Sequence, residues 1–388
     1  MPRALLALVA AFVVLVAPAS ADVRKGPKGA AFYKPPKHLH GKHGGLIWAR
    51  KQTGSDALKG ARRNTLLLYR SKGLSSSLTA VSGSLSIPKG KPPKGGWPVI
   101  TYAHGTTGSA DACAPTRGYD ADKLVSYAYP LLKRWLKAGY AVVRTDYDGL
   151  GTPGVHGYLV GRSEGRSVLD AVRAARAYDH RLSKRFIIAG HSQGGHAALF
   201  AAAMAPQWVP DLRLRGTVAF APASHLAAQF PIALQSSNPG GGLGAIIALG
   251  LRGVDTADSA LGIPSLLTPR ALALYDQTKT RCYDALSKSD SFGGVPLDQY
   301  VKSGADLQPA LTVVGESDPE HLRPRTPIRI EQGTADGTVF EVFTKQLADE
   351  YTDNGVKVDY LTYDGVTHGG IVNSAAGDAT NWIRKRLK

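Results

Sequence analysis

A serine stands at the centre of the pattern Gly190-His-Ser-Gln-Gly194, directly after the apolar run 185–190. A run of small and apolar residues, 196–203, follows at once and is typical of a helix. A strand, a tight turn and a helix are the context in which G-x-S-x-G presents a reactive serine. The two glycines leave room where side chains would collide with the neighbouring strand and helix. We therefore predict that Ser192 is a nucleophile.

Two partners are needed, because serine at its ordinary pKa requires a histidine as base and a carboxylate that orients it. In this type of sheet the acid follows the serine and the histidine comes last. Asp336 follows the next-to-last predicted strand, and His368 follows the last one, with no histidine after it. Asp318 precedes its strand and is a weaker alternative acid. His191 and His196 flank the serine and are predicted to pack around it.

An acyl-transfer site also needs two N–H groups that stabilise the negative oxygen of the tetrahedral intermediate. The first is predicted at Gln193, directly after the serine. The second is expected from the loop 102–108, which follows the first buried strand. In that loop Gly105 allows the chain to turn, and either Thr106 or Thr107 supplies the N–H.

The elements around these residues alternate between short apolar strands and amphipathic helices. This alternation predicts an α/β fold with a mostly parallel sheet covered on both faces. The predicted strands are 66–69, 79–87, 97–103, 140–146, 185–190, 214–221, 327–331 and 357–363. The clearest helices of this alternation are predicted at 122–138, 164–179 and 340–353.

One interval, 222–326, lacks a clear parallel strand but contains Pro/Gly punctuation and helix-like pieces at 245–251 and 269–286. A structureless loop of that size would be unusual, so an inserted helical cap is predicted, with 245–251 as part of its interfacial lid. The predicted organisation is 1–21 signal peptide, 22–45 basic Pro/Gly/Lys-rich arm, 46–221 first part of the core, 222–326 cap, and 327–388 second part of the core.

The N-terminus has the pattern of a secretory signal peptide: a basic start, an apolar run and small residues at Ala19 and Ala21. Cleavage is predicted before Asp22. The apolar run is short for a bilayer span, so we expect an exported, extracellular protein. Two cysteines occur, Cys113 and Cys282. An even pair in an exported chain favours one disulfide, with two free buried thiols as the alternative.

The formal net charge is +17 and is distributed unevenly. Residues 22–51 hold eight Lys and Arg against one acid. This predicts a flexible basic lead-in that contacts anionic envelope polymers or lipid head groups. Nucleic acid fits poorly, because the chain has no recognised motif for it. No metal or cofactor is predicted, since His38, His40 and His43 lack cysteine or carboxylate partners.

Six stretches together resemble the secretory lipase family of the α/β-hydrolase fold, the fungal lipase A type and its bacterial relatives. They are Tyr102-Ala-His-Gly-Thr106, Asp111-Ala-Cys-Ala-Pro115, Asp146-Tyr-Asp-Gly-Leu-Gly151, Gly190-His-Ser-Gln-Gly-Gly195, Gln332-Gly-Thr-Ala-Asp336 and Thr367-His-Gly369. The resemblance implies an α/β-hydrolase with a triad of Ser192, Asp336 and His368 under a helical lid over an acyl pocket. It also implies that Cys113 bonds to Cys282 in the cap.

The predicted activity is hydrolysis of acyl esters, of lipids or of short esters, through an acyl-enzyme on Ser192. An exported acyltransferase would share every one of these motifs, and an exported peptidase of the same fold would share the triad, because all three form an acyl-enzyme. A non-catalytic module that binds the envelope through the basic arm is the alternative from another class. A complete triad argues against it.

Overall fold

The protein is built around one mixed nine-stranded sheet. The structure is a computed structural model that describes residues 24–118 and 124–388. The predicted signal peptide and its cleavage site lie outside these residues. The strands are β1 Leu46–Lys51, β2 Arg63–Lys72, β3 Leu78–Ile87, β4 Trp97–Ala103, β5 Ala141–Thr145, β6 Leu182–His191, β7 Arg213–Phe220, β8 Ile328–Gly333 and β9 Val358–Tyr363. Their order is β1-β2-β3-β5-β4-β6-β7-β8-β9. The sheet is antiparallel from β1 to β5 and parallel from β5 to β9.

Helices cover both faces of the parallel part. The α-helices that lie wholly within the described residues are α1 Tyr129–Lys137, α2 Gly161–Tyr178, α3 Gln193–Trp208, α4 Leu226–Ala233, α5 Gly241–Ala257, α6 Ile263–Leu266, α7 Pro269–Tyr275, α8 Tyr283–Leu286, α9 Gln308–Glu316, α10 Glu341–Asp353, α11 Ile371–Ser374 and α12 Ala376–Leu387. Helices α2 and α3 pack with Val99 and Ile188, whereas α1 and α12 pack with Ile100 and Ile187. Burial on both faces explains why the central strands are continuous apolar runs. The predicted α/β class is confirmed.

Two predicted helices are interrupted in the structure. In the first, predicted at 122–138, a 3₁₀ turn at Ser126–Ala128 precedes the α-helix Tyr129–Lys137, and Pro130 fits the first turn of that helix. The predicted prefix 119–123 lies outside the described residues. The predicted helix 269–286 is divided into α7, a 3₁₀ turn and α8. Its break falls just before Cys282, whose backbone is extended.

The N-terminal segment corrects a second expectation. Residues Gly29–Tyr33 form a 3₁₀ turn, and Phe32 and Tyr33 are buried on the outer face of β1 and β2. The indole N–H of Trp48 donates to the Phe32 carbonyl at 3.0 Å, and the Tyr33 hydroxyl donates to the Thr116 carbonyl at 2.6 Å. The prediction of a flexible lead-in through residue 45 is therefore wrong, because two aromatic side chains fasten this segment to the rest of the protein.

Between Phe220 and Ile328 the chain leaves the sheet and forms α4 to α9. These helices surround a separate apolar cluster in which Ala245, Ile247 and Leu249 of α5 are buried. No helix in the described part of the chain combines the length and the apolar character needed to cross a membrane.

Candidate active site

Ser192 lies between the end of β6 and the start of α3, with φ 57° and ψ −122°. A positive φ is strained for serine, so neighbouring contacts must enforce it. The Ser192 N–H donates to the Phe220 carbonyl at 2.9 Å. A Cβ on Gly190 would lie 2.0 Å from the Gly194 carbonyl oxygen, and one on Gly194 would lie 2.0 Å from the Ala103 carbonyl oxygen. Both positions of the turn therefore require glycine.

Asp336 occupies the turn after β8. Its Oδ1 accepts the backbone N–H groups of Thr338 and Val339 at 2.8 Å each. Its Oδ2 lies 2.7 Å from Nδ1 of His368, which follows β9. Burial alone would raise the pKa of Asp336, but the His368 hydrogen bond and the two N–H groups outweigh burial and lower it. The carboxylate therefore stays charged and keeps a proton on Nδ1, which leaves Nε2 of His368 as the basic nitrogen.

His191 supports His368 from below. Its Nε2–H donates to the His368 carbonyl at 2.9 Å, so its Nδ1 is the acceptor for the Tyr127 hydroxyl at 2.7 Å. Burial, and then the nearby His368, holds the pKa of His191 well below its usual value. An imidazole whose two nitrogens are both engaged in hydrogen bonds cannot serve as the base. The predicted packing role of His191 agrees with these contacts, whereas Tyr127 as its partner was not predicted.

Gln193 is the first residue of α3, where a backbone N–H has no helical carbonyl to which it can donate. Its side-chain amide donates to Glu164 Oε1 at 2.7 Å and to His156 Nε2 at 2.9 Å. His156 accepts there because its Nδ1–H donates to the Asp148 carbonyl at 3.0 Å. These hydrogen bonds hold the buried side chain of Gln193, the residue that follows the serine, in place.

The loop that holds the other predicted oxyanion residues packs directly on the start of α3. A Cβ on Gly194 would lie 2.6 Å from the His104 carbonyl oxygen, and one on Gly105 would lie 2.8 Å from the Tyr127 hydroxyl. Thr106 Oγ1 lies 2.7 Å from the hydroxyl of Tyr158. The carbonyl of the buried Thr107 accepts the Tyr283 N–H of the cap at 2.9 Å. The structure thus packs the start of this loop, at His104, against Gly194 in the first turn of α3.

A buried ion pair behind the serine was not predicted. Glu164 Oε2 lies 3.2 Å from Nδ1 of His196, and both side chains are fully buried. The other ring nitrogen, Nε2, donates to the Ser317 carbonyl at 2.6 Å. Both ring nitrogens face acceptors, so His196 is an imidazolium. Sequence could have pointed to Glu164, because it lies four residues before Val168 on the inward face of α2.

The pKa directions agree with this pair. Burial disfavours the charged imidazolium, but the hydrogen bond and charge of Glu164 outweigh burial and raise the pKa of His196. Burial likewise opposes ionisation of Glu164, yet His196, His156 and Gln193 together lower its pKa. Both directions favour the charged forms of the two side chains, which lie behind the Ser192 turn.

The alternative acid, Asp318, has another role. Its two carboxylate oxygens accept the N–H groups of Leu226 and Ala227 at 2.7 and 3.0 Å. These N–H groups belong to the first turn of α4, where an acidic side chain stabilises the helix. Asp318 therefore fastens α4 to the segment that follows α9.

A cavity of about 250 Å³ opens on Ser192. It is lined by Tyr158, Leu159, Ser192, Gln193, Ala223, Leu226, Gln229, Phe230, Ile232, Ala233, Leu243, Ile246, Thr338, Val339, Phe340 and Phe343. Most of this lining is apolar, and α4 contributes more of it than any other helix. At its edge Ile232 and Phe340 are 66% and 48% exposed, which gives the opening an apolar rim.

The predicted lid segment 245–251 is placed differently. Ala245, Ile247 and Leu249 lie in the interior of the cap, and of this segment Ile246 lines the cavity. The helical pattern was correct, but its apolar face packs inside the cap instead of facing an interface. Among the helices that line the cavity, α4 contributes the most side chains.

Cys113 and Cys282 form a disulfide with a Cα–Cα distance of 5.4 Å. The predicted bridge is confirmed, and the alternative of two free thiols is wrong. It joins the segment after the loop 105–107 to the start of α8, where Gly108 and Cys282 also form a β-bridge. The bond therefore fastens the cap beside the loop 105–107.

Among residues 24–118 and 124–388, no three or more His, Cys, Asp or Glu side chains are grouped so that they could hold a metal ion. Of the three N-terminal histidines, His43 bonds to Asp170 at 2.7 Å, and His38 and His40 lie beside each other with ring centres 6.4 Å apart.

The sequence profile of the secretory lipase family matches residues 122–282. The chain is 27% identical over 219 residues to Lipase A of Moesziomyces aphidis, which covers 52% of this chain and 46% of that protein. It is 25% identical over 383 residues to the secreted triacylglycerol lipase LIP4 of Malassezia globosa, covering 93% and 81%.

Solved structures share the fold. Candida antarctica lipase A in its closed state superposes with a TM-score of 0.76 at 19% identity, covering 89% of this chain and 82% of that chain. The rice cell wall degrading esterase LipA of Xanthomonas oryzae gives a TM-score of 0.74 at 19% identity, covering 89% and 100%. The α/β-hydrolase fold predicted from the sequence is thereby confirmed.

Proposed function

We propose that this chain, a relative of the secretory lipases, is an exported serine hydrolase that cleaves acyl esters. One observation carries the proposal. The Asp336 carboxylate, fixed by two backbone N–H groups, orients His368 through its Nδ1. Ser192, Asp336 and His368 follow the ends of β6, β8 and β9 along the chain, and the strained Ser192 turn lies under an apolar cavity. This arrangement supports acyl transfer through Ser192, because that chemistry requires a histidine that a carboxylate orients as the base.

In the proposed reaction, Ser192 Oγ attacks the ester carbonyl while His368 Nε2 takes the hydroxyl proton. The charge of Asp336 stabilises the imidazolium that results. The N–H of Gln193 and one N–H of the loop 105–107 stabilise the oxyanion. As the tetrahedral intermediate collapses, His368 gives its proton to the departing alkoxide. Water then repeats the two steps on the acyl-enzyme and releases the acid.

We propose that the substrate is an ester whose acyl group is apolar. The lining of the cavity supports this, because it offers apolar side chains from α4 and α5 and few polar groups except Ser192, Gln193, Gln229 and Thr338. The relatives named triacylglycerol lipases and the structure named an esterase are compatible with lipid and with short esters. We propose 222–326 as the cap that provides this wall. The predicted contact of segment 22–45 with anionic surfaces stays a prediction.

Fluorophosphonate labelling tests the nucleophile directly. Wild type is expected to label, and Ser192→Ala is expected not to label while retaining its circular dichroism spectrum. Ser265→Ala, which removes an exposed hydroxyl of the cap, is the matched control and should label like wild type. Equal labelling of Ser192→Ala and wild type would show that another residue is the nucleophile.

A product analysis separates hydrolysis from acyl transfer. Nitrophenyl esters of acetate, butyrate, octanoate and palmitate are offered with and without an alcohol or sugar acceptor. The proposal expects free acid as the main product in both cases. Predominant transfer to the acceptor would assign the same acyl-enzyme to an acyltransferase.

A further inference from the structure

A second cavity, of about 580 Å³, lies at the opposite end of the sheet. We name as the basic cleft six polar residues of its lining: Lys51, Gln52, Arg62, Arg63, Asn64 and Arg181. Arg181 directly precedes β6, whereas Ser192 directly follows it. The ten residues of β6 separate the two sites by about 30 Å at ~3.3 Å per residue. The basic cleft therefore has no part in the proposed ester chemistry.

A buried carboxylate arranges two of the cleft's guanidinium groups. Asp179, whose side chain is 4% exposed, accepts from Arg63 Nη2 at 2.6 Å and from Arg181 Nη2 at 2.7 Å. The two arginine side chains remain 41% and 47% exposed. The Arg63 guanidinium also lies 5.2 Å from the ring centre of Tyr178. Two planar donors are thus held in fixed positions with N–H groups still available to a ligand.

More positive charge lies beside this pair. The turn between β3 and β4 carries Lys89, Lys91 and Lys94. It is joined to the basic cleft by the Arg62 Nη1–H, which donates to the Gly90 carbonyl at 3.4 Å, and by the first residue of β4, Trp97, whose N–H donates to the Arg181 carbonyl at 2.7 Å. The cleft and the turn together hold seven cationic side chains, and the charge of Asp179 balances one of them. Repulsion among the others favours an anionic partner.

We propose that the basic cleft binds a linear polymer bearing phosphate groups and so anchors the protein with the cavity above Ser192 directed away from the polymer. Arginine forks fit phosphate oxygens, and the row of cations that continues onto the turn suits several charges on one strand. A concave site suits a strand better than it suits the flat surface of a bilayer. The one aromatic side chain that the described residues give to the lining, Tyr178, already has the Arg63 guanidinium over its ring, so the cleft lacks the row of free aromatic rings on which successive bases of a nucleic acid stack.

Isothermal titration calorimetry with inorganic polyphosphate, carried out at low and at moderate salt, tests the proposal. Lys51→Gln/Arg62→Gln leaves the Asp179 pair intact and is expected to weaken binding at least tenfold, with a shallower dependence on salt. Arg281→Gln/Lys345→Gln removes the same charge from partly exposed side chains elsewhere and should change binding less than twofold. Hydrolysis of a soluble ester should be unchanged in both variants.

A further variant tests the fork geometry. Arg63→Lys/Arg181→Lys keeps the charge but removes the planar donors, so binding should weaken although the net charge is the same. Equal weakening in the cleft variant and its control would overturn the proposal in favour of diffuse charge. Binding to phosphatidylglycerol vesicles, but not to polyphosphate, would overturn it in favour of a lipid surface.

Discussion

Two parts of the candidate site are held together by different kinds of contact. We call the polar residues around Ser192, namely Asp336, His368, Glu164 and His196, the floor, and the apolar cap residues of α4 and α5 the roof. Below Ser192, buried polar side chains are joined by directional hydrogen bonds, as between Asp336 and His368 or Glu164 and His196. Above it, the cap is held by an apolar cluster around α5, and its cavity wall is apolar as well. Proton transfer requires donors and acceptors at fixed angles, whereas an acyl chain is recognised through the area it buries.

Floor and roof are joined at a few defined contacts. The disulfide and the Tyr283 N–H fasten the cap to the loop 105–107 and the segment after it. On the other side, His196 bonds to the Ser317 carbonyl, and the next residue, Asp318, holds the start of α4. The cavity wall is thus connected to the same ion pair that supports Gln193. If this division is correct, changes in the floor affect all esters, and changes in the roof depend on the acyl chain.

The largest effect is expected from the proposed triad. His368→Ala should lower kcat/KM by at least ~10⁴-fold, and Asp336→Asn by about 10⁴-fold because the imidazole loses its required tautomer. The loss should be equal for acetate and octanoate esters, since neither side chain contributes to the cavity lining. Steady-state kinetics with both esters measure it. A loss confined to the longer ester would contradict the division between floor and roof.

The disulfide comes next. It closes a loop with a sequence separation of 169, and on the loop-entropy model its removal costs about 5 kcal/mol. Cys113→Ser/Cys282→Ser should therefore shift the urea midpoint far downward. A reductant provides the control, because it should destabilise wild type and leave the double variant unchanged. If the double variant unfolds like wild type, the bridge does not hold the cap.

Breaking the buried ion pair is expected to have a somewhat smaller effect. Glu164→Gln leaves the fully buried His196 without its counter-charge, which costs roughly 3–5 kcal/mol. Urea unfolding measures it. Asp349→Asn, which breaks the exposed pair with Lys345, is the matched control and should cost less than about 1 kcal/mol. Equal costs would mean that the Glu164 pair contributes little.

The pair also predicts a pH dependence. The raised pKa of His196 gives stability that is complete below its ordinary value of 6.5 and is lost as pH rises through the folded pKa. The lowered pKa of Glu164 gives stability that is present above its ordinary value of 4.5 and is lost as pH falls through the folded pKa. The difference in unfolding free energy between wild type and Glu164→Gln should therefore be largest between these two values. A difference that increases above pH 7 would contradict the imidazolium assignment.

The same division describes what could be predicted from the sequence. Strand ends follow one another along the chain, so the positions of Asp336 and His368 could be read from the order of elements. The glycines at 190 and 194 identify the turn because backbone crowding admits nothing larger. These features depend on local sequence or on the order of the strands along the chain, and they define most of the floor.

The rest depends on how elements pack. Glu164 meets His196 only because α2 lies against α3, and helical periodicity does not say which neighbour faces an inward carboxylate. Phe32 and Tyr33 lie in a Pro- and Lys-rich stretch, where composition concealed two buried rings. The segment 245–251 was predicted as a helix, yet its pattern could not distinguish the interior of a cap from its outer surface.

The smallest effect is expected in the roof, and it is the one that depends on the substrate. Phe230 lines the cavity from α4. Phe230→Ala should lower kcat/KM for the octanoate ester by roughly 10- to 100-fold, through lost apolar contact of about 1–3 kcal/mol, and leave the acetate ester nearly unchanged. Leu272→Ala removes an apolar side chain that is 47% exposed and is not part of the cavity lining, so it should affect neither ester. An equal loss on both esters would place Phe230 with the floor, because only a disturbed nucleophile or oxyanion site lowers hydrolysis independently of chain length.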